Sequence, residues 1–116
     1  MNFLSKNVIL LSVLLSPVID AAEVKKSLQI MPGKIHENCF VLAPNESIKY
    51  TFNTTSDVAF NIHYHSGDQV KYPVKLKSVS NKSDSFKATI KQNYCLMWTN
   101  NSKQSTQLSY SYRKTK

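Results

Sequence analysis

Glycine is nearly missing from this chain. Its 116 residues include only Gly33 and Gly67. A loop that cradles phosphate needs several glycines close together, because only backbone without Cβ lets N–H groups converge on the anion. The same scarcity removes a Gly-x-Ser-x-Gly nucleophile elbow. Acids are few as well, seven Asp and Glu against fifteen Lys and Arg, and none form an evident carboxylate pair for glycoside hydrolysis. After residue 22 there is no patterned helix, no repeat, no low-complexity tract and no apolar run of the ~20 residues that span a bilayer. The expectation is a protein that is not an enzyme.

What is present begins with a targeting segment. Lys6 sits in a short polar start, residues 8–19 are apolar apart from Ser12, Ser16 and Pro17, and Asp20-Ala21-Ala22 offers small residues for cleavage. That is the order of a secretory signal peptide over residues 1–22. The apolar run is too short for a membrane anchor. The remaining residues, 23–116, make one small domain, secreted or periplasmic. A domain of that size buries a modest core, and exported domains of this kind often carry a covalent staple. Cys39 and Cys95 are the two cysteines. In an oxidising compartment an even count reads as a disulfide; the alternative is two buried thiols.

The excess of positive charge has a pattern. Lys71, Lys75 and Lys77 fall on one face of one expected strand, Lys87 and Lys91 on one face of another, and Arg113, Lys114 and Lys116 close the chain. Such faces attract an anionic partner: a protein, an envelope polysaccharide or the headgroups of a membrane surface. They also discourage pairing between exposed edges. Nucleic acid is not expected, since the charges are spread over short strands and no nucleic-acid module is recognisable.

The dominant signal is alternation. Val58, Phe60, Ile62 and Tyr64 alternate with Ala59, Asn61, His63 and His65; Ile48, Tyr50 and Phe52 alternate with Lys49, Thr51 and Asn53. A period of two marks a strand buried on one face. Eight short segments, most of them alternating, lie at 25–31, 38–43, 48–53, 58–65, 70–79, 85–91, 94–100 and 106–113, separated by Asn, Asp, Ser and Pro turn signals. The fold class is all-β, an antiparallel β-sandwich of about seven or eight strands. Tyr64, Tyr72, Tyr110 and Tyr112 read as inward, and Trp98 as core. Pro73 marks an edge strand or a bulge. Segments 38–43 and 94–98 are apolar on both faces, which places the cysteines on central or covered strands.

His63 and His65 share one face, read as the wet one. Two imidazoles at that spacing suit a Zn(II) or Cu(II) ion. His36 is the third candidate ligand, with Asp68 or Glu37 as a fourth. A second version recruits Met97 and an unpaired Cys95 for copper. This metal site is the alternative to a protein without cofactor. Asn45, Asn53, Asn81 and Asn100 each open an Asn-x-Ser/Thr sequon, a glycan acceptor if the source is a eukaryote.

Cys39-Phe40, the Asn45-Glu46-Ser47 turn, Tyr50-Thr51-Phe52, the strand from Val58 to Ile62, Phe86-Lys87-Ala88, the run Tyr94-Cys95-Leu96-Met97-Trp98-Thr99-Asn100 and Leu108-Ser109-Tyr110 together resemble the GOLD domain of the lumenal part of p24 cargo receptors and of some Sec14-like proteins. The resemblance covers residues 37–114. It implies a jelly-roll-like sandwich used for recognition without catalysis, with the two cysteines bonded as in p24 proteins. No coiled coil, span or sorting tail is patterned after the domain, so a free-standing exported module is implied rather than a cargo receptor. The expected function is a non-catalytic recognition module for a protein or an anionic envelope or lipid component. Closing a loop of about 57 residues stabilises by about 4 kcal/mol in the chain-entropy model. Urea unfolding with and without reductant is expected to differ by that amount, and equal midpoints would exclude the staple.

Overall fold

The computed structural model describes residues 22–115; the expected signal peptide, apart from Ala22, lies outside them. Six strands run β1 (Val24–Ile30), β2 (Ile35–Leu42), β3 (Ser47–Ser66), β4 (Gln69–Lys87), β5 (Gln92–Thr99) and β6 (Thr106–Thr115). All pairings are antiparallel, in the order β1-β6-β3-β5-β2, with β4 on β3. The count is six rather than seven or eight for a simple reason. Segments 48–53 and 58–65 are one continuous strand, and so are 70–79 and the first three residues of 85–91. The hydrogen-bonded sheet is single and curled.

The curl has an identifiable origin. The first half of β3 pairs with β6, from Ser47↔Thr115 to Thr54↔Leu108; the second half pairs with β5, from Ala59↔Thr99 to His63↔Cys95. Between Asn53↔Asn81 and Val58↔Val79, residues 54–57 of β3 face Ser80 alone on β4. Surplus residues on one strand bend it and sharpen its twist. Hydroxyls satisfy the opened backbone at this corner. Thr54 Oγ1 donates to the Ser56 carbonyl at 2.6 Å, the Ser56 N–H donates to Thr106 Oγ1 at 3.2 Å, and the Gln107 N–H donates to Thr55 Oγ1 at 2.9 Å. The β3–β4 hairpin therefore belongs to two half-sheets, one completed by β6 and β1, the other by β5 and β2.

The core lies inside the curl. Ile48, Tyr50 and Phe52 from one half meet Val58, Phe60 and Ile62 from the other, with Leu96, Trp98, Leu108 and Tyr110. Trp98 is the hub: Phe52 meets its ring edge-on at 5.6 Å, while Phe60 and Tyr110 lie tilted at 5.4 and 4.5 Å. Such ring pairs stabilise beyond their area. The indole Nε1–H is buried without an acceptor among the described residues. Burial pushes the inward Tyr50 hydroxyl up to about 12, with the Asp84 charge adding to it.

A polar chain crosses the same space from β6 to β2. Tyr112 Oη donates to Asn38 Oδ1 at 3.0 Å, Asn38 Nδ2 donates to Tyr110 Oη at 2.8 Å, and Tyr110 Oη lies 2.9 Å from His36 Nε2. In this last contact the His36 tautomer sets which of the two groups donates. His36 is half-buried at the end of this chain. Its pKa is lowered, first by burial and then by the Lys26 charge.

The loops follow local chemistry. Gly67 takes φ +59 in the two-residue β3–β4 loop and Asn45 takes φ +70 in the β2–β3 turn, the left-handed region that glycine and asparagine tolerate. Residues 88–91, expected as strand, form the β4–β5 connection, where Ala88 exchanges backbone bonds with Asn45 and Glu46. Ile90 is accordingly 44% exposed rather than inward. Asn100 is fully buried: its Nδ2 donates to the Ile30 and Gln104 carbonyls, and its Oδ1 accepts from the N–H and hydroxyl of Ser102. In the folded chain that nitrogen is unavailable to a glycan.

Two predictions follow from these networks. Asn100→Ala leaves carbonyls of two loops without donors and is expected to cost about 2–3 kcal/mol in urea unfolding; a change below half a kcal/mol would show the network to be dispensable. For His36, a lowered folded pKa means that the unfolded chain binds the proton first. Its contribution is intact above the ordinary value of 6.5 and is lost as pH falls toward the folded pKa. Stability is expected to decline between about pH 7.5 and 5.5, and less steeply in His36→Gln. An unchanged slope in the variant would assign the decline to another group.

Candidate functional site

Two outward faces concentrate chemistry. The first lies on the half-sheet of β2, β5 and the second half of β3. Cys39 and Cys95 are direct partners across β2 and β5, with Cα atoms 4.0 Å apart, and are bonded. Cys95 is in turn opposite His63 on β3. One row across three strands thus carries Cys39, Cys95 and His63, and Glu37 stands two residues before Cys39 on the same face. His63 is 4% exposed. This corrects the reading of a wet face: the ring is covered by Glu37, the disulfide and Tyr72. Its Nε2 is 3.0 Å from Glu37 Oε1 and its Nδ1 2.7 Å from Asn61 Oδ1. His65 meets it edge-on at 5.4 Å.

Of the three histidines expected at a metal, the structure brings two together. His36 lies on the inner side of the sheet, stacked on Trp98 at 5.9 Å. Glu37, one of the fourth-ligand candidates, is in place. The group of donor atoms that does converge is Glu37, His63 and Cys95, all within 4.8 Å of one another. The sequence names Glu37 and Cys95 only in two separate versions of the site; the structure sets both beside His63. The signal was the shared odd-numbered face of Glu37, Cys39 and Cys95, usable once the β2–β5–β3 order is known.

The bulges redistribute the lysines. Between Ile62↔Val74 and Tyr64↔Lys71, Tyr72 and Pro73 face His63 alone. The extra residue turns Tyr72 outward, 44% exposed and beside His63, with Lys75 Nζ 4.7 Å above its ring. The expected inward Tyr72 is thereby corrected, while Pro73 does sit at a bulge on an edge. Lys71 is now in register with the inward Tyr64, and Lys75 with the outward Asn61, so the two do not share a face. Lys77 falls in a second bulge between Val58 and Phe60. Lys91 is in a loop, apart from Lys87. β2 is an edge strand with Val41 exposed, rather than a central one.

The second face is on the other half-sheet; the sequence singles out its Lys87 and Arg113 but not Lys49 or the hydroxyls between them. Register aligns Lys25, Ser111, Thr51 and Ser83 in one row and Arg113, Lys49 and Ser85 in the next, with Ser47 and Lys87 beyond. Cross-strand hydroxyls bond one another, Thr51 to Ser83 at 2.6 Å and Ser27 to Ser109 at 3.1 Å. An open groove of about 690 Å³ runs here; Lys49, Thr51, Ser83, Ser85, Ser111 and Arg113 line it together with two acids, Glu23 and Asp84. Among the described residues the ion pairs are Lys25–Glu23, Glu37–His63 and Lys82–Asp84, which leaves Lys49, Lys87 and Arg113 without a carboxylate. These cations, set in a plane of hydroxyls, can hold an anion by charge and orient it by hydrogen bonds.

Two solved structures share this fold. One is PliG of Aeromonas hydrophila, a periplasmic inhibitor of g-type lysozyme, at TM-score 0.59 and 10% identity over 82% of this chain and 88% of that one. The other is the Yersinia pseudotuberculosis-derived mitogen YPM, at TM-score 0.57 and 11% identity over 80% and 86%. No family model matches the sequence, and no curated protein matches it. At such identities the likeness is one of fold. It places the curled all-β architecture among small proteins of this size and carries no residue of either site.

Proposed function

We propose that this chain is an exported, non-catalytic recognition module that binds an acidic protein surface through the groove of Lys49 and Arg113. The observation that carries the reading is the hydroxyl-paved face on which Lys49, Lys87 and Arg113 make no ion pair among the described residues. Charge arranged in this way steers and orients an anionic partner. Support comes also from the fold shared with PliG, an inhibitor of an enzyme. Export rests on the expected signal peptide and the disulfide. A GOLD-type relationship is part of the same proposal: Tyr94–Asn100 supplies a buried strand, and its cysteine is bonded to Cys39.

The test compares charge reversals of equal size. Lys49→Glu/Arg113→Glu is expected to weaken binding to an immobilised acidic protein or sulfated polysaccharide by tenfold or more in dilute salt, with the difference fading at about 1 M salt, where screening is within ~3 Å. Lys71→Glu/Lys77→Glu is expected to do less. Equal losses from both pairs would reduce the effect to net charge and remove the groove from the proposal. A g-type lysozyme is the first defined partner to assay, by loss of its lytic activity.

A further inference from the structure

The row of Cys39, Cys95 and His63 has a property that anion recognition does not use. Glu37 Oε1, His63 Nε2 and Cys95 Sγ lie within 4.8 Å of one another, and Cys39 Sγ lies 3.6 Å from Glu37 Oε1. Four donor atoms, two sulfur, one nitrogen and one oxygen, therefore share one spot on the sheet. Ligands around a tetrahedral zinc are separated by about 3.3–3.8 Å, given bonds of about 2.0–2.3 Å, so small side-chain rotations suffice. Asn61 Oδ1 holds His63 Nδ1 at 2.7 Å, which aims Nε2 at the cluster. That is the outer hydrogen bond that metal-ligating histidines ordinarily have. Cys95 and His63 form a buried floor, Cys39 and Glu37 an exposed mouth.

In the bonded state the two sulfurs hold each other, and the thiolate, not the disulfide, is the metal ligand. The geometry points to a zinc site that opens when Cys39–Cys95 is reduced, with Cys39, Cys95, His63 and Glu37 as ligands. The reductant is a dithiol. One of its thiolates attacks the exposed Cys39 sulfur, the S–S bond breaks, and Cys95 leaves as a thiolate beside His63. The second thiol of the dithiol then attacks its own sulfur in the mixed disulfide and releases Cys39. Two electrons and two protons pass to the protein, and the dithiol becomes a disulfide. Zinc entering this set displaces the protons of the two thiols and replaces the Glu37–His63 contact with two metal bonds. Thiolates and imidazole suit zinc well and make the site selective against magnesium and calcium, which take oxygen ligands. The site is separate from the Lys49–Arg113 groove, on the other half-sheet.

The test titrates Zn²⁺ alone into the full chain, oxidised and reduced, with Co²⁺ as a spectroscopic probe of thiolate ligation. One zinc per reduced chain is expected and none at the same concentration in the oxidised chain, with thiolate-to-cobalt charge transfer appearing only after reduction. His63→Ala and Glu37→Gln are each expected to lower the affinity of the reduced form by about 10–100-fold. Cys39→Ser frees Cys95 without reductant and keeps three ligands. It covers the case in which full reduction loosens the fold, and zinc is expected to bind it and restore the native circular dichroism. Equal zinc binding by both redox states would overturn the proposal. So would affinity unchanged in both His63→Ala and Glu37→Gln, or neither binding nor refolding in the reduced chain and in Cys39→Ser.

Discussion

The bend in β3 at residues 54–57 is the constraint on which the structure rests. One strand of twenty residues is made to serve two sets of neighbours, and the transfer occurs where four of its residues face one. Without the surplus, β3 would run straight, β5 and β6 would compete for the same edge, and no interior would exist. The cost of the corner is a short stretch of backbone without ladder partners. Thr54, Thr55 and Thr106 offset it with hydroxyl bonds, as buried polar groups require. Trp98 then occupies the space the bend creates and touches rings from both half-sheets.

The two sides of the curled sheet are held by different physics. Inside, apolar burial dominates, and the one polar chain, from Tyr112 through Asn38 and Tyr110 to His36, has its groups matched donor to acceptor. It joins β2 to β6, which share no ladder. Outside, cross-strand neighbours decide. Where the odd-numbered residues are Ser, Thr and Lys the face is wet and cationic. Where they are Cys, His and Glu it is half-covered and rich in metal-type donors. Both surfaces come from the same period of two, read through two different partner strands.

That period made much of the fold legible. Ile48, Tyr50 and Phe52, and Val58, Phe60 and Ile62, are buried as their alternation required, and Cys39 is bonded to Cys95. What stayed hidden depends on pairing. A bulge shifts the face of everything beyond it, so Tyr72 emerged outward and Lys71 parted from Lys75, although Pro73 had marked the place. Turn residues at 55–57 and 80–84 resembled loop ends because Ser, Asp and Asn are common there; in this chain they mark a bend and a tolerant edge within continuous strands. Ile90 fits an alternating pattern but belongs to a connection. His63 was legible as an outward residue and illegible as a buried one, since its cover comes from β2. The Lys49–Arg113 pairing needs β3 beside β6, which alternation alone does not supply.

The sheet order has a consequence for how the chain is made. β1 has one partner, β6, the most distant strand in sequence. A polypeptide synthesised or threaded from its N-terminus exposes β1 first and must keep it unpaired until every other strand has arrived. The half-sheet of the β3–β4 hairpin with β5 and β2 can assemble earlier, from residues 35–99. Closure of the other half waits for the last strand, so the pace of folding is set by a contact that spans the domain, and the waiting edge is open to wrong partners. The charged pair Lys25-Lys26 on that edge strand is the kind of residue that keeps such an edge from pairing with another chain.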